Sequence, residues 1–247
     1  MKKILFYDSG VGGISVLREA MKLLPSEHYL YFGDTANAPY GDKSTEEVRA
    51  LTLANFDALY KKGLRAAVIA CNTATSAAIA TLREEYPKIP IIGLEPALKP
   101  AVEAYPKGRI AVMATSVTLA EEKFASLCRE VEGSAKVIPL ACPGLMDFVE
   151  RGELSGGALD SYLAGVFKGV LPLDAVVLGC THYPFVSAAI KKASGGADVF
   201  NGALGAAKRL ASLLGDKAIT EGAGSVEILN SADSSYMNAL AKKLLKI

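Results

Sequence analysis

The 247-residue sequence has no surplus of positive charge, since 27 lysines and arginines stand against 26 acidic residues. Such a balance does not hold a polyanion nonspecifically, so a nucleic-acid partner is not expected. Apolar residues make up 51% of the chain. That is enough for a sizeable core, and the length suits two small domains.

A long hydrophobic run at the amino terminus is also missing. Lys2 and Lys3 lead into a short apolar stretch that stops at Asp8. This stretch is too short for the core of a secretory signal or for a membrane span. The sequence therefore predicts a cytoplasmic protein that has no membrane partner.

Cysteine is scarce. The four cysteines are too few for a disulfide scaffold, and in the cytosol we expect them to be reduced. None forms a Cys-x-x-Cys pair, which argues against a thiol redox protein and against a zinc site built on Cys180 and His182. The glycine-rich stretch after Asp8 lacks both the P-loop ending and the dinucleotide-loop spacing. No metal or nucleotide cofactor is expected.

Short apolar or β-branched runs alternate with amphipathic stretches along the whole chain. The runs predict buried strands at 4–7, 29–32, 66–70, 89–92, 110–114, 137–140, 175–178, 197–200 and 226–229. Helical spacing marks 16–24, which ends before Pro25, and 120–131, while Ser44 and Glu47 form the pattern of a capping box. This alternation predicts an α/β fold with parallel sheets covered on both faces.

The sequence resembles itself. Segments 66–73 and 174–181 each lead from an apolar strand to a cysteine, Cys71 or Cys180, and each is followed by a Ser-Ala-Ala-Ile stretch that we expect to be helical. Segment 4–9 matches 110–115 at a similar offset. We therefore predict two similar, pseudo-duplicated α/β domains that face each other across a central cleft. The predicted boundaries are 1–97 plus 208–247 for the first domain and 98–207 for the second, with the strand and helix of 226–245 returning to the first.

Cys71 and Cys180 then take equivalent places, beyond the carboxyl end of a strand and before a helix, where open α/β sheets bind ligands. Inverting a carbon that bears a hydrogen needs one group to remove a proton and another to deliver one. Cysteine suits both roles, because its ordinary pKa of about 8.5 is easily shifted and a helix amino terminus favours the thiolate. Polar neighbours argue against simple core burial of these two. Cys128 lies in a helical pattern and is interpreted as a core residue.

Other candidates surround these cysteines in the sequence. Asp8 ends the first strand and is interpreted either as a helix cap or as a group that holds an ammonium or assists proton transfer. Segment 33–43 is a loop by composition, either a substrate-contacting loop or an ordinary surface connection. His182 lies two residues after Cys180 and is placed to exchange protons with it. Glu150, taken alone, is indistinguishable from an ordinary solvent-exposed acid at the end of a helix.

Together, the motifs Asp8-Ser9-Gly10, Pro39-Tyr40-Gly41, Cys71-Asn72-Thr73-Ala74 and Gly179-Cys180-Thr181-His182-Tyr183-Pro184 resemble the glutamate racemase family of the aspartate/glutamate racemase superfamily. The resemblance spans most of the chain. It implies two α/β domains with the active site between them, and an isomerase that interconverts L- and D-glutamate without pyridoxal phosphate, metal or nucleotide. D-glutamate would feed peptidoglycan synthesis, and with it cell-wall biogenesis and cell shape.

The resemblance also implies roles for single residues. Cys71 would act on one enantiomer and Cys180 on the other, with Asp8 supporting the first thiol and His182 the second. Glu150, which follows a Cys142-Pro143 motif, would be a further supporting acid. The implied substrate contacts are Asp8, Ser9, Tyr40, Gly41, Asn72, Thr73, Thr118, Thr181 and His182. The segment from Ala114 to Thr118 departs from the family's Gly-Thr-x-x-Thr pattern at Ala114, and this weakens Thr118 and, more so, Thr115 as contacts.

Two other functions stay open at this point. One is a racemase of aspartate or another acidic amino acid within the same superfamily. The other is a two-lobed binding protein that closes on an amino acid, although such proteins usually act outside the cytosol. Glutamate, a small molecule, is the expected partner, and a homodimer is compatible with the sequence.

Overall fold

The computed structural model describes residues 2–246 and separates them into two compact units. The first unit runs through Leu94 and resumes at Ala203, and the second is Glu95–Gly202. No helix of the described chain is long and apolar enough to cross a membrane.

Nine strands and eleven α-helices alternate along the described residues. The strands are β1 Lys3–Asp8, β2 His28–Gly33, β3 Leu64–Ile69, β4 Ile91–Gly93, β5 Arg109–Ala114, β6 Lys136–Ala141, β7 Ala175–Leu178, β8 Asp198–Asn201 and β9 Ser225–Asn230. The helices are α1 Ile14–Leu23, α2 Thr45–Tyr60, α3 Asn72–Glu85, α4 Leu98–Ala104, α5 Ser116–Ala120, α6 Glu122–Glu130, α7 Leu145–Glu150, α8 Gly157–Val166, α9 Ser187–Ala193, α10 Ala203–Leu214 and α11 Ser235–Leu245. Each of the nine predicted strands is confirmed.

Both sheets are parallel, and their strand orders match. The first runs β4-β3-β1-β2-β9, and the second, read from its other edge, runs β8-β7-β5-β6. The registers match as well, because Ile4 lies opposite Ala66 and Ile110 lies opposite Ala175. Just past the strands, the amide of Ala70 donates to Tyr7 O and that of Gly179 to Met113 O, both over 2.7 Å. The predicted duplication of α/β halves is thus confirmed.

The last strand returns to the first unit, as expected, since β9 pairs in parallel with β2. At the start of these strands, the fully buried carboxylate of Glu27 accepts two hydrogen bonds from Arg65 Nη1, at 2.9 and 3.1 Å. It also accepts from the amide of Ile219 over 2.8 Å. The returning segment therefore contacts the first stretch of chain through Glu27, whose charge Arg65 balances.

Each unit has its own apolar core beside its sheet. In the first, residues of β1 and β3 such as Leu5 and Ile69 pack against Phe56 of α2 and Leu82 of α3. In the second, residues of β5 and β7 such as Val112 and Val177 pack against α4 and α6, including Leu98 and Phe124. The packing of each core fixes the carboxyl ends of its strands, where the polar candidate residues lie.

The amphipathic stretch 120–131 is largely one helix, α6, which begins at Glu122 and ends at Glu130, while Ala120 belongs to α5. Glu121 has φ −72° and ψ 141°, an extended conformation that ends α5 and precedes α6. Apolar residues on both sides of this break, Leu119 of α5 and Phe124 and Leu127 of α6, pack into the same core. The predicted capping box of α2 is confirmed, since Ser44 Oγ accepts from the amide of Glu47 while the Glu47 side chain accepts from the amide of Ser44.

Candidate active site

Cys71 stands at the start of α3, just past the end of β3, and is 6% exposed. Its Sγ accepts a hydrogen bond from the amide of Ala74 over 3.4 Å and lies 3.7 Å from Ser9 Oγ, to which the thiol donates. The sulfur thus takes the N-cap position of a 14-residue helix. Amide groups at a helix amino terminus favour a negatively charged partner, so this site supports a thiolate.

Asp8 and Ser9 end the neighbouring strand β1. Asp8 is fully buried, and its Oδ2 accepts from the amide of Gly10 over 3.1 Å. The helix-cap interpretation of Asp8 is wrong, because the N-cap of α1 is Gly13, which has no side-chain bond. A Cβ on Gly13 would come within 2.8 Å of Asp8 Cβ. The glycine lets the carboxylate and the helix start approach closely.

The loop predicted at 33–43 contains two short 3₁₀ turns, Thr35–Asn37 and Tyr40–Asp42. Tyr40 is only 1% exposed, and its hydroxyl lies 2.6 Å from Tyr7 Oη and donates to Asp34 Oδ2 over 2.6 Å. Burial raises the pKa of the Tyr40 phenol far above its ordinary value, and the negative charge of Asp34 adds to this. The phenol is therefore a neutral donor. Gly41, the next residue, is partly exposed.

Asn72 and Thr73 form the first turn of α3 and are both buried. The Asn72 Oδ1 atom has no hydrogen-bond partner among the described residues. A buried carbonyl oxygen without a donor costs free energy unless a ligand or water supplies one. Asn72 is therefore suited to accept a hydrogen bond from a bound molecule beside Cys71.

The second unit places Cys180 two residues beyond the end of β7. Its Sγ lies 3.7 Å from His182 Nδ1, and His182 Nε2 lies 2.7 Å from Glu150 Oε1. His182 is 1% exposed. Burial alone would lower the pKa of His182, but the hydrogen bonds to Cys180 and Glu150, with their negative charges, raise it well above its ordinary value. Thiol, imidazole and carboxylate thus lie in a row along which a proton can pass.

Glu150 reaches His182 because of how α7 is held. Gly144, at φ 78°, turns the chain into α7, which ends at Glu150. The two preceding carbonyls are each fixed by a tyrosine hydroxyl, as Tyr183 Oη donates to Cys142 O over 3.3 Å and Tyr162 Oη donates to Pro143 O over 2.8 Å. The contacts of the Cys142-Pro143 motif thus help to place Glu150 against His182.

Cys142 is buried and stays a neutral thiol near neutral pH. It is 2% exposed, and burial, together with the charge of Cys180, raises the pKa of its thiol to about 12. All four cysteines are free thiols. No group of three or more histidine, cysteine, aspartate or glutamate side chains within residues 2–246 is arranged to hold a metal ion.

The expectation that Cys180 directly precedes a helix is wrong. A 3₁₀ turn, Tyr183–Val186, follows it, and α9 begins only at Ser187. Pro184 has no amide hydrogen to donate to the Cys180 carbonyl, so the first α-helical hydrogen bond cannot form and an α-helix does not start at the cysteine as it does after Cys71. Support for a charge on Cys180 comes from His182 instead of helix amides.

The threonines of the second unit have different surroundings. Thr115 is the N-cap of α5, and its Oγ1 accepts from the amide of Thr118 over 3.2 Å. Thr118 is 2% exposed and Thr181 is 4% exposed, next to Cys180. Ala114, which ends β5, takes the place that Asp8 has in the first unit. Ser9 and Thr115 are therefore equivalent, whereas the acid of the first unit has no counterpart at Ala114.

The predicted site residues thus form two groups, each at the carboxyl edge of its own sheet. The first-unit cluster comprises Asp8, Ser9, Tyr40, Gly41, Cys71, Asn72 and Thr73, and the second-unit cluster comprises Thr118, Glu150, Cys180, Thr181 and His182. Asp34 was missed from the sequence, although its place two residues after the predicted strand 29–32 and within the loop 33–43 was a signal. Each cluster offers one thiol, with the Ser9 hydroxyl beside Cys71 and the His182 imidazole beside Cys180.

Comparison with known proteins agrees with this chemistry. The family model for Asp/Glu/Hydantoin racemase matches residues 14–210. Glutamate racemase of Clostridium novyi (strain NT) is 47% identical over 98% of this chain and 96% of that protein. Glutamate racemase of Clostridium botulinum (strain Hall) is also 47% identical, over 100% of this chain and 98% of that protein.

Solved structures give the same result. The Escherichia coli glutamate racemase in complex with L-glutamate and the activator UDP-MurNAc-Ala has a TM-score of 0.88 at 28% identity, covering 100% of this chain and 95% of that one. The Francisella tularensis glutamate racemase in complex with D-glutamate has a TM-score of 0.84 at 26% identity, covering 100% and 94%. The chain therefore belongs to the Asp/Glu/Hydantoin racemase family and, within it, to the glutamate racemases, which are isomerases.

Proposed function

We propose that this chain interconverts L- and D-glutamate without a cofactor, with Cys71 and Cys180 exchanging the α-proton on opposite faces of the substrate. The observation that carries this proposal is the equivalent placement of the two thiols. Each stands past the second of two paired strands, β3 beside β1 and β7 beside β5, and each has a proton-carrying side chain nearby in its unit. A two-base inversion needs two such groups.

The reaction proceeds in two proton transfers. In one direction the thiolate of one cysteine takes the α-proton, leaving a carbanion whose charge spreads onto the α-carboxylate, and the thiol of the other cysteine delivers a proton to the opposite face. The reverse direction exchanges the two roles. Both thiol and thiolate are accessible near neutral pH because the ordinary pKa of cysteine is about 8.5. The mechanism requires one substrate molecule to meet both clusters.

The supporting groups differ on the two sides. On the Cys71 side, the amide of Ala74 and the Ser9 hydroxyl lie against the sulfur, and Asp8 ends the adjacent strand. On the Cys180 side, His182 is held by Glu150 and carries a proton at a raised pKa. An imidazolium beside the sulfur stabilises the thiolate that remains after proton delivery.

The α-carbon of an amino acid is a weak acid, so the carbanion needs stabilisation. Hydrogen-bond donors placed in advance around the α-carboxylate supply it without reorganisation. Ser9, Thr73, Thr118 and Thr181 are buried hydroxyls in the two clusters, and Asn72 adds a side-chain amide. We propose these five, with the backbone at Tyr40 and Gly41, as the substrate-contacting groups.

Glutamate is proposed as the substrate because the similar proteins are glutamate racemases and two of the similar structures hold D- or L-glutamate. The product, D-glutamate, would supply peptidoglycan synthesis in the cytoplasm, and neither nucleic acid nor membrane would take part.

The proposal is tested by incubating the purified protein with L-glutamate in deuterated water. Optical rotation and deuterium at the α-carbon are followed together. We expect loss of rotation with incorporation of one deuterium, starting from either enantiomer. Absence of any exchange contradicts the racemase function and favours a binding protein. Exchange with L-aspartate but not with L-glutamate would keep the mechanism and show that the substrate is aspartate.

The roles of the thiols are tested by single replacement. Cys71→Ala and Cys180→Ala are each expected to abolish racemisation, because each leaves only one proton-transferring group. Cys128→Ala is the matched control, since Cys128 lies on α6, partly buried against the core of the second unit. Wild-type turnover in either of the first two variants would show that the two-thiol assignment is wrong.

A further inference from the structure

Asp34 is a fully buried carboxylate for which the mechanism has no use. It directly follows β2 and forms no ion pair with any of the described lysines, arginines or histidines. Its oxygens instead accept hydrogen bonds from Tyr40 Oη at 2.6 Å, Asn55 Nδ2 at 2.9 Å and Asn37 Nδ2 at 3.0 and 3.1 Å. A buried charge without a cation is retained only where donors replace its hydration, and here three side chains do so.

These contacts close a ring of four side chains. Asn55 Nδ2 donates to Asp34 and, over 3.3 Å, to Tyr7 Oη, while the hydroxyls of Tyr7 and Tyr40 are 2.6 Å apart. Tyr40 donates its only hydroxyl hydrogen to Asp34, so Tyr7 donates to Tyr40. Every donor in the ring is thereby used. Such a closed, buried network permits one arrangement of its members.

The ring joins the parts that carry the first-unit cluster. Tyr7 lies on β1 just before Asp8, and Asn55 lies on α2, whereas Asn37 and Tyr40 belong to the loop 33–43. The backbone amide of Asp34 also donates to Asp8 O over 2.9 Å. Asp34 therefore connects the loop at two points to the strand end that bears Asp8.

The ring also limits what Tyr40 offers a substrate. Its phenol is 1% exposed and its hydroxyl is occupied on both sides, by Tyr7 and by Asp34. Contact with a bound molecule is thus left to the backbone of Tyr40 and Gly41. The position of that backbone depends on where the phenol is anchored.

We propose that Asp34 is a positioning residue for substrate binding: its buried carboxylate anchors Tyr40 and Asn37 and so holds the Tyr40-Gly41 backbone in place to bind the substrate. This inference rests on the proposed function in one respect, namely that Tyr40 and Gly41 contact glutamate. It assigns Asp34 no proton transfer.

Asp34→Asn tests the proposal, because an Asn side chain keeps the shape of Asp. Its NH₂ group, however, would face the hydrogen-bond donors that the Asp34 carboxylate accepts from. We expect KM for both enantiomers to rise about tenfold, the effect of losing one charge-assisted hydrogen bond, with little change in kcat. Tyr40→Phe is expected to raise KM in the same way, and the double variant is expected to be no worse than Asp34→Asn alone, since both act through one contact.

Two variants serve as matched controls. Asp57→Asn alters another carboxylate that accepts from a tyrosine, Tyr86, away from the clusters. Tyr29→Phe removes another buried phenol hydroxyl, one that donates to Leu24 O at the other end of β2. Both are expected to keep the wild-type KM.

The readouts distinguish positioning from mere folding. A lower kcat with unchanged KM would mean fewer folded molecules and would overturn the proposal, as would an unchanged KM with unchanged kcat. Hydrogen exchange of the amides at 35–43 gives a readout independent of catalysis, and we expect faster exchange in Asp34→Asn but not in Asp57→Asn. If the wild type does not racemise glutamate, the proposed function fails, while unaltered exchange of this loop would separately reject the anchor.

Discussion

The two thiols have different immediate neighbours. Cys71 meets a backbone amide and the Ser9 hydroxyl, whereas Cys180 meets an imidazole that is itself held by Glu150. In the duplicated halves, Thr73 and His182 take the same place, two residues after the cysteine. The Cys180 side therefore contains one titratable group that has no counterpart on the Cys71 side.

This difference predicts the titration of His182. Its proton resonances are expected to titrate well above the ordinary value of about 6.5, and Glu150→Gln is expected to move the titration to lower pH because a negative partner is lost. NMR suffices, since His28 is the only other histidine in the chain. Glu153→Gln, an exposed acid paired with Arg151, is the control and should leave His182 unchanged.

The same group affects stability in a defined direction. Because folding raises the pKa of His182, its contribution to the free energy of unfolding is full below about pH 6.5 and is lost as the pH rises through the folded-state pKa. The difference in the free energy of unfolding between wild type and His182→Gln should therefore shrink toward alkaline pH. A difference that grew with pH would contradict the charged relay.

At the scale of elements, the strand ends approach each other so closely that glycine is required. A Cβ on Gly179 would lie 2.9 Å from Ala114 Cβ and 3.1 Å from Met113 O. Gly179 separates β7 from Cys180, so any shift there moves the thiol. The end of β5 thus sets the position of Cys180, just beyond β7.

Gly179→Ala is expected to lower kcat by about tenfold or more, because small displacements of a reacting group reduce the rate steeply. Gly165→Ala is the matched control, since nothing lies within 4 Å of its added Cβ and the residue lies in α8. There the substitution should be neutral or should stabilise by about 0.5–1 kcal/mol. Turnover and urea denaturation of both variants check this, and equal kcat values in the two would contradict it.

Much of the element order could be predicted from the sequence, because buried parallel strands are continuous apolar runs and the repeat aligns them. The register of β1 with β3, for example, follows from the same offsets that relate Cys71 to Cys180. The break at Glu121 could not be predicted, since it depends on backbone dihedrals that apolar spacing does not record. The hydrogen bond between Tyr40 and Asp34 could not be predicted either, because it depends on how the loop packs on Asn55 and Tyr7.

At the scale of the whole molecule, the first unit is assembled from two separate stretches of chain. The amide of Ile219, in the second stretch, donates to Glu27, which forms an ion pair with Arg65 of the first stretch. The side chain of Glu27 is 0% exposed, against 17% for that of Arg65. Removing one member of such a pair leaves a buried charge without its partner.

Arg65→Leu is expected to lower the free energy of unfolding by about 3–5 kcal/mol, because Glu27 loses its cation. Arg129→Leu, which breaks the exposed pair with Glu122, is expected to cost under about 1 kcal/mol. Urea denaturation followed by circular dichroism measures both. A small effect of Arg65→Leu would mean that Glu27 is solvated or protonated after the substitution.

The return of β9 to the first sheet has a consequence for biosynthesis. A ribosome releases the chain from the amino terminus, and domains generally fold as units as they emerge. The second unit is continuous, so all four of its strands leave the ribosome before the first unit receives β9. Until then, the outer edge of β2 has no partner strand. The first unit, whose amino-terminal part is synthesised first, is thus the last to be completed. While β9 is missing, the exposed edge of β2 must not pair with another strand.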